Sequence, residues 1–237
     1  MQTGDLFMIK NFSKLKAFTL AEVLITLGII GLVAALTLPT VMGNYKKKVV
    51  VTKMEKFYTT MNQAVKLSSV ENGDTVYWSV EGENLYLNPD ATMDWYNKYL
   101  AKHFNGAETE KINDGIVVRL SDGSGFAIYN PGRTSFSAHI IYYVDYKPFK
   151  KWLISNGNAI YARRLDGRNV FLFIIRDNRF DTYFVLADFA DTEKDRNNLF
   201  HSANGTYGCA DETYRFYCAA LIENDGWEIK DDYPVKF

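Results

Sequence analysis

The chain has 237 residues, room for one or two domains, and its 27 basic and 28 acidic side chains leave a net charge of −1. Such a balance gives no whole-molecule basic field for nucleic acid. Two cysteines are too few for a structural zinc site, and His103, His139 and His201 make no metal-binding spacing.

Residues 1–17 set Lys10, Lys14 and Lys16 against Asp5, a net of +2, with Met8 as a second possible start. A short basic segment ahead of an apolar run reads as an insertion or export signal. From Phe18 to Leu38 the chain has 21 residues with one charge, Glu22. At about 1.5 Å per residue this is about 31 Å of helix, enough for a bilayer core of about 30 Å. A cleaved signal peptide has an apolar region of about 7–15 residues and a small-x-small site after it. This run is longer and ends in Pro39 without such a site, so the segment reads as retained. A carboxylate at a bilayer centre costs on the order of 2.5–3.5 kcal/mol, and less near the interface. Glu22 therefore needs a partner, whether Lys16, water or a group brought by another chain.

Gly28 and Gly31 allow close helix contact, as small residues do within membranes. Pro39 lacks an N–H, so the Ala35 carbonyl loses its helical partner and the helix is expected to bend or melt locally. It then resumes, because Val50, Met54, Phe57, Met61, Ala64 or Val65, and Ser68 share one face to about Glu71, before Asn72-Gly73. The reading is a helix over 18–71, transmembrane over 18–38, followed by a globular α+β domain over 72–237. Lys46, Lys47, Lys48 and Lys53 after the span favour a cytoplasmic side by charge alone, whereas the cysteines argue for export.

In the globular part, Pro89-Asp90 leads into a predicted helix over 92–104 that buries Met93, Tyr96, Leu100 and Phe104. Three hairpins are predicted: 116–120 with 125–129, 152–155 with 159–162 around Asn156-Gly157-Asn158, and 170–175 with 182–186. Residues 138–144 add a strand, and Thr213–Asn224 has a helical pattern at its end that closes at Asp225-Gly226. Successive hairpins imply an antiparallel sheet with its apolar face on the second half of the long helix. Cys209 and Cys218 suggest a disulfide in an exported domain. Free thiols are the alternative, and a single helix carrying both would keep them too far apart to bond. Ser121-Asp122-Gly123-Ser124-Gly125 reads as a hairpin turn, not a phosphate cradle, for lack of a P-loop lysine. Arg163, Arg164 and Arg168 near Tyr161 and Phe171 form a small basic-aromatic group, more often the outward face of a hairpin than a nucleic-acid patch.

Lys16-Ala17-Phe18-Thr19-Leu20-Ala21-Glu22 resembles the prepilin signature shared by type IV pilins, type II secretion pseudopilins and competence pilins. The resemblance implies cleavage by a prepilin peptidase between Ala17 and Phe18, removing the 1–17 leader, and N-methylation of Phe18. Glu22 then takes the fifth mature position, with Gly31 and Pro39 at the fourteenth and twenty-second, positions typical of such chains. The residue before the cut is usually Gly, so Ala17 implies slower processing. A Glu22 carboxylate in a low-dielectric filament core would offset the terminal ammonium of a neighbouring subunit. Removing one partner of such a pair costs about 3–5 kcal/mol.

The resemblance further implies a pilin-like α+β fold: a long N-terminal helix, transmembrane then amphipathic, packed on an antiparallel sheet. The chain would be a non-enzymatic structural subunit of a type IV pilus or type II secretion pseudopilus. Its partners would be homologous subunits, the peptidase, an inner-membrane platform with a cytoplasmic ATPase, and membrane lipid, with no nucleic acid. It would sit in the bacterial inner membrane as a single-pass protein with its C-terminal domain exported, before joining a filament. The alternative is a minor or tip pilin binding DNA or a surface ligand; an enzyme is disfavoured by the lack of a catalytic constellation. Pilins commonly have a C-terminal disulfide-bounded loop, which suits Cys209 and Cys218. No cofactor is implied, although some pseudopilins hold calcium in a C-terminal loop, which draws attention to Asp188, Asp191, Glu193 and Asp195.

Overall fold

The computed structural model describes residues 18–80, 87–129, 138–157, 165–184, 194–203 and 205–237. Two compact units, Met1–Gly43 and Asn44–Phe237, meet inside one long helix, α1 (Leu20–Asn72). In the first unit the described chain is helical from Leu20 onward, and α1 passes through Pro39 without interruption. The helix is thus not melted there. Proline's fixed φ of about −65° is itself helical, so the lost bond to Ala35 is not enough to end the element.

In the second unit α1 buries Val50, Met54, Phe57, Met61, Ala64, Val65 and Ser68, the three-to-four spacing of a single stripe. It stops at Gly73, whose φ of +76° suits a residue without Cβ and whose N–H donates to the Ser69 carbonyl at 3.0 Å. The stripe covers a six-stranded antiparallel sheet in sequential order: β1 (Glu108–Ile112), β2 (Gly115–Arg119), β3 (Gly125–Tyr129), β4 (Ala138–Tyr143), β5 (Val170–Arg176) and β6 (Arg179–Thr182). The described chain is therefore α+β, with a long apolar N-terminal helix and an antiparallel sheet. Phe57 stands at the centre of the packing. Its ring stacks on Tyr142 at 4.5 Å and meets Phe126, Phe173 and Phe180 at 5.3, 5.8 and 5.5 Å.

The other face of the sheet is covered as well. There Val117, Ala127, Ile141, Tyr143 and Leu172 pack on Phe149 and Leu153 of α3 (Tyr146–Ser155). This corrects the hairpin expected around Asn156-Gly157: residues 152–155 are helix, and 159–162 lie outside the described residues. Asp145 caps α3 through the Lys147 N–H at 3.1 Å, and Phe149 and Leu153, four apart, face the sheet together. Asn156-Gly157 is the helix stop, with Gly157 at φ +71°.

Other boundaries shift by smaller amounts. The predicted 92–104 helix is α2 (Pro89–Tyr99) plus a 3₁₀ turn, Ala101–His103, because Asn88 accepts from the Asp90 and Ala91 N–H groups and starts it early. Tyr96, Leu100 and Phe104 are buried and Met93 is partly so. Strand β6 ends at Thr182, since the β5–β6 turn is only Asp177-Asn178, at φ +52° and +61°. Asn178 also reaches past the end of α1: its Oδ1 accepts from the Thr75 N–H at 2.6 Å and its Nδ2 donates to Asp74 at 2.7 Å. Strand β1, for which the sequence shows no apolar alternation, is among the described residues a polar edge strand paired with β2.

Phe57→Ala should cost about 3–5 kcal/mol in chemical denaturation of the full chain, the usual loss for a buried aromatic. Glu55→Ala, on the exposed side of the same helix, should stay within about 0.5 kcal/mol of the parent.

Candidate functional site: the apolar half of the first helix

Every large apolar side chain from Leu20 to Met42 is at least 42 % exposed, and consecutive ones such as Leu24-Ile25 and Ile29-Ile30 reach about 60 %. Among the described residues of its unit, none covers a side of this stretch. A helix that is apolar all round belongs in a protein core or a membrane. Among the described residues this is a helix long and apolar enough to cross a membrane, with its apolar window wholly unburied. Two of its threonines are matched within the helix. Thr26 Oγ1 donates to the Val23 carbonyl at 2.9 Å and Thr37 Oγ1 to that of Val33 at 3.0 Å, so neither hydroxyl needs water.

Glu22 has a local role. Thr19 is the residue before the helix, and its N–H and Oγ1 donate to Glu22 Oε2 at 2.8 and 2.9 Å. The Glu22 N–H returns a bond to Thr19 Oγ1 at 3.2 Å. This reciprocal pattern is a capping box, satisfying two N-terminal donors that helix geometry leaves open. It uses no atom of residues 1–17, so a cut after Ala17 would leave it intact. Sequence reasoning passed over it although Thr19-x-x-Glu22 is the required spacing.

A second candidate lies at the C-terminal end. Cys209 and Cys218 form a disulfide that ties a loop to the start of α5 (Cys218–Asn224), with both cysteines buried. Inside that loop Asp211 is a hub. Its Oδ2 accepts from the Ser202 N–H at 3.0 Å, Ser202 Oγ at 2.6 Å and the Gly208 N–H at 2.7 Å, while Oδ1 lies 3.2 Å from His201 Nδ1. A Cβ on Gly208 would come within 2.6 Å of both Asp211 Oδ2 and the Phe200 carbonyl, so only glycine fits. Further on, Arg196 of α4 (Arg196–Phe200) forks onto Asp225 at 2.7 and 3.1 Å and reaches Asp232 at 2.7 Å. The tail then returns to α1 through Lys47 with Asp231 at 3.4 Å and through Tyr58 against Trp227 at 5.1 Å. These contacts hold a loop and tail in place.

A family of unknown function, DUF6613, matches residues 40–237. The chain belongs to that family. Its match begins immediately after Pro39 and leaves the apolar stretch over 18–38 outside it. No curated protein and no solved structure matches the chain.

The residues singled out from sequence fall as follows. Ala17 lies outside the described residues, and Phe18 is 84 % exposed at the head of the helix. A Cβ added to Gly28 or Gly31 would meet nothing within 4 Å, so both offer a smooth surface to whatever packs there. Asp188, Asp191, Glu193, Arg163 and Arg164 lie outside the described residues. Asp195 is the cap of α4, accepting from the Asn198 N–H at 2.8 Å. Among the described residues no group of three or more His, Cys, Asp or Glu could hold a metal. Ser121–Gly125 is the β2–β3 turn, closed by the Leu120 N–H to the Ser124 carbonyl at 2.8 Å.

Burial pushes the Asp211 carboxyl up, but hydrogen bonds from Ser202, His201 and Gly208 outweigh it and hold the group below its ordinary value. A carboxylate depressed in the folded state stabilises above its unfolded pKa, about 3.9, and loses that contribution as pH falls through the folded value. Asp211→Asn should therefore cost about 1–3 kcal/mol at pH 7. Its stability should also fall less steeply than the parent's below about pH 4, as read by denaturation at a series of pH values.

Proposed function

We propose that this chain is a structural subunit of a type IV pilus or type II secretion pseudopilus, processed after Ala17 and assembled by side-by-side packing of its apolar helix. The observation that carries the reading is a helix apolar around its whole circumference, with a single carboxylate in its first turn. Such a surface needs cover. Lipid supplies it while the chain is a single-pass membrane protein, and neighbouring copies of the helix supply it in a polymer. A long helix whose later part packs on an antiparallel sheet is compatible with a pilin-like layout.

Glu22 would then serve twice. One oxygen holds the capping box, and the other remains for the ammonium that cleavage creates at Phe18 of a neighbouring subunit. The capping box fixes the carboxylate at the helix start, where a partner can find it without further ordering of the side chain. Gly28 and Gly31 offer the close approach that interhelical contact needs where no hydrophobic force acts between helices. On this reading the chain carries no catalytic role. It belongs in the bacterial inner membrane with its C-terminal domain exported, and its partners are like subunits, the peptidase, the assembly platform and lipid.

Glu22→Gln separates the two roles of the side chain, because glutamine preserves a capping box while removing the charge. The variant should be cleaved like the parent yet yield at least about tenfold fewer sheared filaments, since losing one partner of a buried pair costs about 3–5 kcal/mol. Filament yield equal to the parent's would sink the ion-pair role.

A further inference from the structure

The helix α3 carries an unbalanced charge. Phe149 and Leu153 are turned to the sheet, and its solvent side presents Lys147, Lys150 and Lys151, all exposed and three to four residues apart on one stripe. No acidic residue stands within Tyr146–Ser155. None of the three ammonium groups forms an ion pair among the described residues. A basic amphipathic helix of this kind reads as a surface for something anionic.

The same face continues towards α1. A groove of about 720 Å³ joins Asp145 and Pro148 at the start of α3 to Tyr45 and Lys46 of α1 and to Arg168. Lys46 and Arg168 are exposed, and they too have no ion-pair partner among the described residues. The carboxylates beside them are turned to their own backbone. Asp166 accepts from the Arg168, Asn169 and Val170 N–H groups at 2.8, 2.7 and 2.8 Å, and Asp145 caps α3 through the Lys147 N–H. The third carboxylate of the groove, Asp122, lies 3.9 Å from Lys56. Five cations without an ion pair thus stand beside two carboxylates that backbone donors already occupy.

The neighbour of this face along the chain is the apolar stretch of α1. Lys46 follows the exposed Met42 by four residues, about 6 Å of helix, and Tyr45 just before it is 68 % exposed. Tyrosine favours the headgroup level of a bilayer, and clustered lysines beside a span favour anionic lipid. Lys151 is three residues beyond Pro148, about 4.5 Å farther along α3, so it stays within the roughly 8 Å of the groove over which charges act at physiological salt. The rings of α3 are already engaged. Trp152 stacks on Phe149 at 5.5 Å, and Tyr146 lies under Arg119 at 4.3 Å and Lys150 at 5.6 Å. They do not offer the open faces on which the bases of a single strand stack.

We propose that Lys46, Lys147, Lys150, Lys151 and Arg168 form a docking face for anionic phospholipid headgroups, which holds the second unit against the bilayer that its own span enters. A docking face needs no single ligand position, because many headgroups share it. Each basic side chain near such a surface strengthens attachment about fivefold, the equivalent of about 1 kcal/mol. The inference rests on the membrane reading of residues 18–38 and needs no filament.

The test uses the full chain in lipid nanodiscs, of phosphatidylcholine alone or with about one third phosphatidylglycerol, and reads acetylation of each lysine by peptide mass spectrometry. In the anionic discs Lys147, Lys150 and Lys151 should react about fivefold more slowly than in neutral ones. Lys66, exposed about 30 Å farther along α1 than Lys46, should not change. The protection should vanish at about 1 M salt, where the screening length falls to about 3 Å. Equal acetylation of the α3 lysines in both discs overturns the proposal. Protection that appears only when single-stranded DNA is added also overturns it, and reassigns the face to nucleic acid. A chain that enters neither disc removes the span itself, and the docking face with it.

Discussion

A helix that is apolar on one stripe can lie on a sheet, but a helix that is apolar all round cannot be left in water. α1 carries both designs in one element, and much of the rest of the molecule follows from that. Between Phe18 and Met42 fourteen large apolar side chains are exposed by 42 % or more. Covering them is worth on the order of 20 kcal/mol at about 1.5–3 kcal/mol for each fully buried side chain. That exceeds the whole stability of a typical domain, about 5–15 kcal/mol. Whatever covers this surface therefore decides where the chain resides.

The second half of α1 faces the opposite demand: one stripe must be held in register against six strands. The aromatic contacts around Phe57 supply the hydrophobic contribution, but rings alone tolerate sliding. Directional bonds remove that freedom. Lys53 is seated on the carbonyls of the β2–β3 turn and Val144, and Asn178 ties the β5–β6 turn to residues 74 and 75 just past the helix end. The C-terminal tail adds Lys47 with Asp231 and Tyr58 with Trp227. Each attachment joins the helix to a turn or tail, where backbone groups remain open, and none of them interrupts the sheet.

The elements legible in the sequence were those with long or redundant signals. The buried stripe of α1 repeats over five turns, so both Ala64 and Val65 being buried changed nothing in the reading. The hairpins turning at Ser121–Ser124 and at Asp177-Asn178 stood out in the same way. α3 did not, because Trp152–Ser155 is a short apolar run before Asn-Gly, and short runs carry no period. What decided it was tertiary: the second sheet face needed cover, and Phe149 with Leu153 provides it. Strand β1, Glu108–Ile112, has no apolar face to betray it and exists by pairing with β2. Of the site residues, the Thr19–Glu22 capping box was readable from spacing alone. The Asp211 hub was not, since its donors, Ser202, His201 and Gly208, meet only once the loop is closed.

On the proposed reading one helix serves two environments, divided by removal of the basic leader: loss of residues 1–17 would create an amino group four residues before Glu22. Intact mass and N-terminal peptide mass spectrometry of the chain purified from a bacterium that makes filaments tests this most directly. The expected result is a mature chain beginning at an N-methylated Phe18. A retained leader, or an unmethylated terminus at another position, would contradict it.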